Sequence, residues 1–193
     1  MTLCALADVK TYLGITDTNS DAVLNALVAN ASAMVEQFCN RVFAQASYTD
    51  VLNGTGKSVI SLRNSPITAI ASVTVDTVAQ LPAPNAISPG FVFDTQTVYL
   101  RGGGYPSGSF GFSGSFSKGV QNVVVTYTAG FATIPLDVAQ ACIELVAMKY
   151  AKRNRIDKQS ETLGTQQTIS YTMADVPASV KTALQPYVRW GAP

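Results

Sequence analysis

The chain has 193 residues, 47% hydrophobic and only 13% charged, with 13 basic against 12 acidic side chains and a net charge of +1. A near-neutral chain carries no global field to draw in nucleic acid or an anionic membrane. A charged share well below the roughly 25% of ordinary domains leaves a surface built of Ser, Thr, Asn and Gln, or one covered by partners.

Residues 5–43 read as helical, 44–128 as β-rich and 134–190 as helical again. A short first helix is predicted from Ala5 to Leu13, stopped at Gly14. Asp17-Thr-Asn-Ser20 supplies candidate caps for a longer helix whose apolar positions are Val23, Leu24, Leu27, Val28, Ala31, Met34, Val35 and Phe38. That spacing of three and four makes one buried face.

In the middle, Tyr48–Leu52 and Ser58–Leu62 flank Asn53-Gly-Thr-Gly56, a hairpin signal. Ile67–Val75, entered through Pro66, is a further strand, and Phe91–Phe93 and Thr97–Leu100 bracket Asp94-Thr-Gln96 as a second hairpin. Val120–Tyr127 is the strongest strand. Before it, residues 101–119 hold seven glycines and five serines, yet also Tyr105, Phe110, Phe112 and Phe116. Glycine at that density is costly to order. Two readings stand: a loose hairpin tip, or a loop whose aromatics order against a neighbour.

The second helical part starts at Ile134-Pro135, with Leu136, Ala139, Cys142, Ile143, Val146 and Tyr150 as its expected stripe. It ends in a basic cluster of Lys149, Lys152, Arg153, Arg155 and Lys158. These are either cations favoured at a helix C-terminus or a contact to DNA backbone or an acidic partner. Residues 157–168 read as a polar loop, and a last helix is predicted from Pro177 towards Gln185, leaving Tyr187-Val188-Arg189-Trp190 as an amphipathic tail.

The chain contains no histidine, so a Ser-His-Asp or Cys-His centre is impossible. The carboxylates are scattered, and no catalytic, cofactor-binding or metal-binding residue is expected. Gly54-Thr-Gly-Lys57-Ser58 ends like a phosphate-binding loop, but Val51 stands where the pattern needs glycine and a strand follows where it needs a helix. Cys4, Cys39 and Cys142 have no paired spacing, which reads as buried apolar thiols and not as a disulfide framework or a zinc site. With no apolar run near about 18 residues, neither a signal peptide nor a membrane span is expected.

Leu6-Ala-Asp-Val-Lys-Thr-Tyr-Leu-Gly-Ile15 with Asp21, then Val35-Glu-Gln-Phe-Cys-Asn-Arg-Val-Phe43, resembles the opening of the head–tail connector (adaptor, or head-completion) family of tailed double-stranded DNA phages. Val125-Thr-Tyr-Thr-Ala-Gly130 with Ile134-Pro135, and Val176-Pro-Ala-Ser-Val180 with Leu184 and Tyr187, are similar to its later hallmarks. The resemblance covers the two ends of the chain and leaves the β-rich middle, longer than in compact members, unassigned. It implies a small antiparallel helical bundle of residues 1–43 and 129–193, which with the antiparallel β-rich insertion read from the residues at 44–128 makes an α+β fold. It also implies a non-enzymatic virion protein, assembled in the host cytoplasm as a ring of twelve copies at the head–tail junction. The partners implied are the portal and a stopper, tail terminator or other neck protein. DNA would pass through the lumen unread, in passive, non-specific contact, with the basic cluster facing it or a partner, and no membrane is involved. Val176, Val180, Leu184, Tyr187, Arg189 and Trp190 are the expected portal-binding residues. The alternatives are another neck or tail-completion protein, or a carbohydrate- or surface-binding β module, against which stands a single tryptophan.

Overall fold

The computed structural model describes residues 2–85, 87–102, 114–153, 160–163, 167–170 and 176–189. The fold is α+β, and the chain divides into two compact units, Met1–Arg41 with Thr133–Trp190 and, between them, Val42–Ala132.

The first unit is helical. Helix α1 (Leu6–Leu13) ends at Gly14 in the left-handed region (φ 67°), where the Ile15 N–H reaches back to Lys10 O at 3.0 Å. Helix α2 (Asp21–Cys39) ends the same way on Asn40 (φ 50°), with the Arg41 N–H on Glu36 O at 3.1 Å. Ser20 stands at the N-cap of α2, but its hydroxyl is paired across the unit with Tyr150 Oη at 2.9 Å and caps nothing. The buried stripe of α2 is Leu24, Val28, Ala31, Ser32, Val35 and Cys39. By length and composition alone α2 could cross a membrane. Its opposite face, however, carries exposed Asn25, Asn30 and Gln37, and its stripe packs on helix α3 (Leu136–Lys152).

Helix α3 is the centre of the unit, contacting α1, α2 and helix α4 (Ala178–Leu184). It buries Val138, Ala141, Cys142, Ile143, Leu145 and Val146, a stripe rotated from the expected one. Leu136, expected inside, is 86% exposed. With neighbours on three sides, α3 needs a wider apolar face than a two-helix packing does, and Val138, Ala141 and Leu145 supply it. The expected polar loop at 157–168 contains a short antiparallel hairpin, β8 (Ser160–Leu163) with β9 (Gln167–Ser170). Pro186 ends α4 as expected, in a single 3-10 turn at Gln185–Tyr187.

The second unit is two sheets over one core. Strands β1 (Ala46–Gly54), β7 (Gly119–Ala129), β3 (Ile67–Val75) and β4 (Val78–Gln80) form an antiparallel sheet in that order. Strands β2 (Val59–Ser61), β6 (Thr97–Arg101) and β5 (Gly90–Phe93) form the other. The β5–β6 hairpin closes as expected, because Asp94 Oδ1 accepts the Gln96 and Thr97 N–H groups at 2.9 and 2.8 Å. The hairpin expected between β1 and β2 does not form: β1 pairs with β7 and β2 with β6. The Gly54–Lys57 turn instead carries the chain from one sheet to the other. A Cβ on Gly54 would sit 1.8 Å from Ser117 O, so only glycine permits that approach.

Strand β7 shows why the core forms. Val123, Val125, Tyr127 and Ala129 alternate inward and are buried with Val73 and Val75 of β3, Ile60, Leu62, Phe91, Val98, Leu100 and Phe116. One polar group is carried inside with them. Asp50 on β1 is buried, and its Oδ2 accepts the Tyr127 hydroxyl at 2.8 Å and the Arg63 N–H at 3.0 Å. The Tyr127 oxygen in turn accepts the Asn64 N–H at 3.1 Å. Burial first, then the Asp50 carboxylate, pushes the Tyr127 pKa up to about 12. A raised folded-state pKa means stability that is complete below the ordinary tyrosine value and is lost as pH rises from there through the folded value. Urea titrations should therefore show the β unit losing about 2 kcal/mol between pH ~10 and ~12. Tyr127→Phe should abolish that alkaline limb and cost about 1–3 kcal/mol at neutral pH, by leaving buried Asp50 short of a donor. An unchanged alkaline limb in the variant would count against this network.

Candidate functional site

The C-terminal segment divides into a packed half and a presented half. Val180 and Leu184, one turn apart on α4, are buried on the helical unit, and Val176 is half-buried. The Val180 and Leu184 side chains are spent on packing within this unit. Beyond them, the Tyr187 hydroxyl donates to both Asp137 oxygens at 3.0 and 2.8 Å, at the first turn of α3. The Arg189 N–H donates to Cys39 O at 3.0 Å, satisfying a terminal carbonyl of α2. The half-buried Tyr187, Val188 and Arg189 are thereby fixed at one end of the unit. Arg41 belongs to the same end, where burial, then the Arg189 guanidinium, pushes its pKa down. Leu136, beside Asp137, adds an exposed apolar group that sequence periodicity had assigned to the interior. Trp190 lies outside the described residues.

The basic cluster is tethered. Arg153 lies over the Tyr150 ring at 3.7 Å and donates from Nη1 to Tyr150 O at 2.9 Å, while Lys149 Nζ approaches Met34 Sδ at 2.7 Å. Lys152 also has a partner. Lys149 and Lys152 lie in the last turn of α3 and Arg153 is its C-cap residue, positions where cations complement the terminal carbonyls. Arg155 and Lys158 lie outside the described residues.

The Phe/Gly segment is pinned at its base. Phe116 is fully buried in the β core, with its N–H on Lys57 O and its carbonyl on the Gly56 N–H, both at 2.8 Å. Gly114 and Gly102 approach so closely that a Cβ on Gly114 would fall 2.2 Å from Gly102 N. Tyr105, Phe110 and Phe112 lie outside the described residues.

A surface that no motif announced is the outer face of the four-stranded sheet. The pairing register lines up Ser47, Thr128 and Ala69, then Thr49, Thr126 and Ser72, then Val51, Val124 and Thr74. These side chains are exposed or half-buried, and none is charged. An antiparallel sheet that faces water ordinarily alternates apolar with charged or long polar residues. At the opposite edge, Val78 is 58% exposed and, just beyond β4, Leu81 and Ile87 are 67% and 92% exposed. Among the described residues no cluster of three His, Cys, Asp or Glu side chains could hold a metal ion.

The family model for head completion proteins matches residues 2–190, across both units. The chain belongs to the head completion protein family. Solved structures with this fold include a chain from the neck of an empty gene transfer agent (GTA) particle computed with C6 symmetry, at 16% identity and a TM-score of 0.56. Another comes from the neck of the native GTA particle computed with C12 symmetry, at 17% identity and a TM-score of 0.54. A third comes from the virion of the native gene transfer agent particle, at 18% identity and a TM-score of 0.55. Each match covers 97% of this chain and 90% of the other. Similarity at this level establishes a shared fold. No curated protein matches the chain.

Proposed function

We propose that this head completion protein is a structural subunit of the neck that joins a DNA-filled phage head to its tail, built as a twelve-membered ring docked on the portal. The observation that carries the reading is the family match over residues 2–190, spanning helical and β units alike. It is supported by a fold shared along almost the whole chain with neck proteins, one of them from a neck computed with C12 symmetry. The work of such a protein is done by surfaces and not by turnover.

A ring repeats one heterologous contact, so each copy needs two different patches that are complementary to each other. The uncharged outer face with its edge strand β1 is one, and exposed Val78 on the other edge strand, with Leu81 and Ile87 on the connection from β4 to β5, is the second. Burying groups without charge avoids the desolvation cost that ion pairs bring to an interface. The portal-facing surface is the presented half of the C-terminal segment: Tyr187 and Arg189 with Leu136 beside them, an aromatic and a guanidinium of the kind that dominate binding energies. Removing residues from Val176 onward does not isolate this role, because it also strips Val180 and Leu184 from α3. The clean variant is Tyr187→Ala with Arg189→Ala, which should keep its thermal unfolding within a few degrees yet lose about tenfold or more in affinity for purified portal rings. Unchanged co-sedimentation with portal would remove this surface from the interface.

The function itself is tested by electron microscopy of lysates from a phage lacking the gene. Packaged or leaking heads beside complete, unattached tails are the expected result. Intact virions would overturn the reading.

A further inference from the structure

Neither the mechanism above nor the sequence motifs use the thiols, yet two cysteines separated by 138 positions meet inside the helical unit. The sulfurs of Cys4 and Cys142 lie 3.3 Å apart, and both residues are buried. We propose that they are a latent disulfide site, closed by a small-molecule disulfide oxidant, that covalently staples the N-terminal segment onto α3. The inference stands independently of the ring and portal assignments.

Cys4 precedes α1 in a short non-helical stretch, whereas Cys142 sits in the middle of α3. Forming the bond requires the sulfurs to close from 3.3 Å to about 2.05 Å. The backbone at Cys4, free of helical constraint, can supply that movement. The segment is placed by the Leu3 N–H, which donates to Ser32 Oγ at 3.0 Å, and Ser32 Oγ is itself 3.6 Å from Cys142 Sγ. Local opening of this non-helical stretch, bounded by exposed Thr2 and Ala5, admits a small oxidant without unfolding the helices.

The two thiols are not equivalent. The Cys4 thiol donates to Cys142 Sγ, which pushes the Cys142 pKa down and its own up. With oxidised glutathione, one of the two thiols gives its proton to solvent and its thiolate attacks one glutathione sulfur; the glutathione S–S bond breaks and one glutathione thiolate leaves. The other cysteine then gives its proton to that thiolate and attacks the protein sulfur of the mixed disulfide, expelling the second glutathione as a thiolate that takes up a proton from solvent. Two cysteine sulfurs are oxidised, one S–S bond of the oxidant is reduced to two thiols, and no glutathione remains on the protein. Cys39 stands apart, with burial pushing its pKa up to about 11, and serves as the internal control. A reducing compartment preserves the pair open, and an oxidising medium installs the bond.

The test uses the full chain, purified under reducing conditions, incubated with oxidised glutathione, then denatured, alkylated and mapped by mass spectrometry. The expected result is a peptide joining Cys4 to Cys142 with Cys39 still alkylated, and an unfolding temperature raised by on the order of 10 °C that reverts on reduction. Cys39→Ser should crosslink as the parent does. Cys4→Ser, which removes a sulfur outside any helix, should show neither the joined peptide nor the thermal shift. Three alkylated cysteines after prolonged oxidation, stable glutathione adducts without a joined peptide, or crosslinks through Cys39 or between chains would each overturn the proposal.

Discussion

Phe116→Ala is expected to destabilise the β unit by about 3–5 kcal/mol, the cost of emptying a fully buried aromatic site. The ring has no exposed surface and packs with the inward residues of both sheets. Its backbone is also bonded to Gly56 and Lys57, so the cavity cannot close by drawing in the flanking loop. The check is urea unfolding followed by the near-ultraviolet signal of the β unit. A loss below about 1 kcal/mol would mean that the core had relaxed around the gap. The same substitution at Phe112 separates the two readings of the Phe/Gly segment. Unchanged unfolding with impaired head–tail joining assigns a contact role to the segment, whereas a loss matching that of Phe116→Ala makes it part of the core.

Placing charge on the outer sheet face should abolish ring assembly while sparing the monomer. Val51 is 46% exposed on the edge strand, and Ser72 is exposed two strands away. Lysine at both points outward on a pleated surface, so Val51→Lys with Ser72→Lys should change monomer stability by only about 0.5 kcal/mol. In a closed ring, each unpaired buried ammonium would instead cost several kcal/mol and would be repeated in every copy. Native mass spectrometry and electron microscopy of the protein assembled on portal should show rings for the parent and none for the variant. Rings formed by both would move the subunit contact off this face without touching the neck assignment. A parent that forms no ring would count against the ring itself.

Local chemistry carried far in this chain. Gly14 stops its helix, as expected, because it occupies a left-handed position that few residues tolerate, and that information is one residue long. Strand β3 runs over Ile67–Val75, as its β-branched pattern predicts, and β7 contains the predicted Val120–Tyr127 run. Pro186 and Asp94 act through their own backbone geometry and nearest amides, so their effects were legible too.

What was not legible depended on partners distant in sequence. The turn at Gly54–Lys57 has hairpin chemistry, but β1 found a longer mate in β7 and β2 joined β6, because pairing is decided by which strands bury a common face. The stripe of α3 was misplaced at Leu136 because periodicity gives the spacing of a face, and the number of neighbouring helices sets its width and direction. Val180 and Leu184, expected among the portal-binding residues, proved to be packing, and Phe116 proved to be core.

The uncharged sheet face exists only once register places Thr49 beside Thr126 and Val51 beside Val124. The Cys4–Cys142 pair exists only once the N-terminal stretch lies on α3. The sequence by itself determined the main helices and the longer strands, and that the chain lacks histidine chemistry, since these follow from single residues and short periods. The tertiary structure decided which faces were spent on the core and which remained to be shared. Burial is a property of long-range neighbours, and no local window contains them.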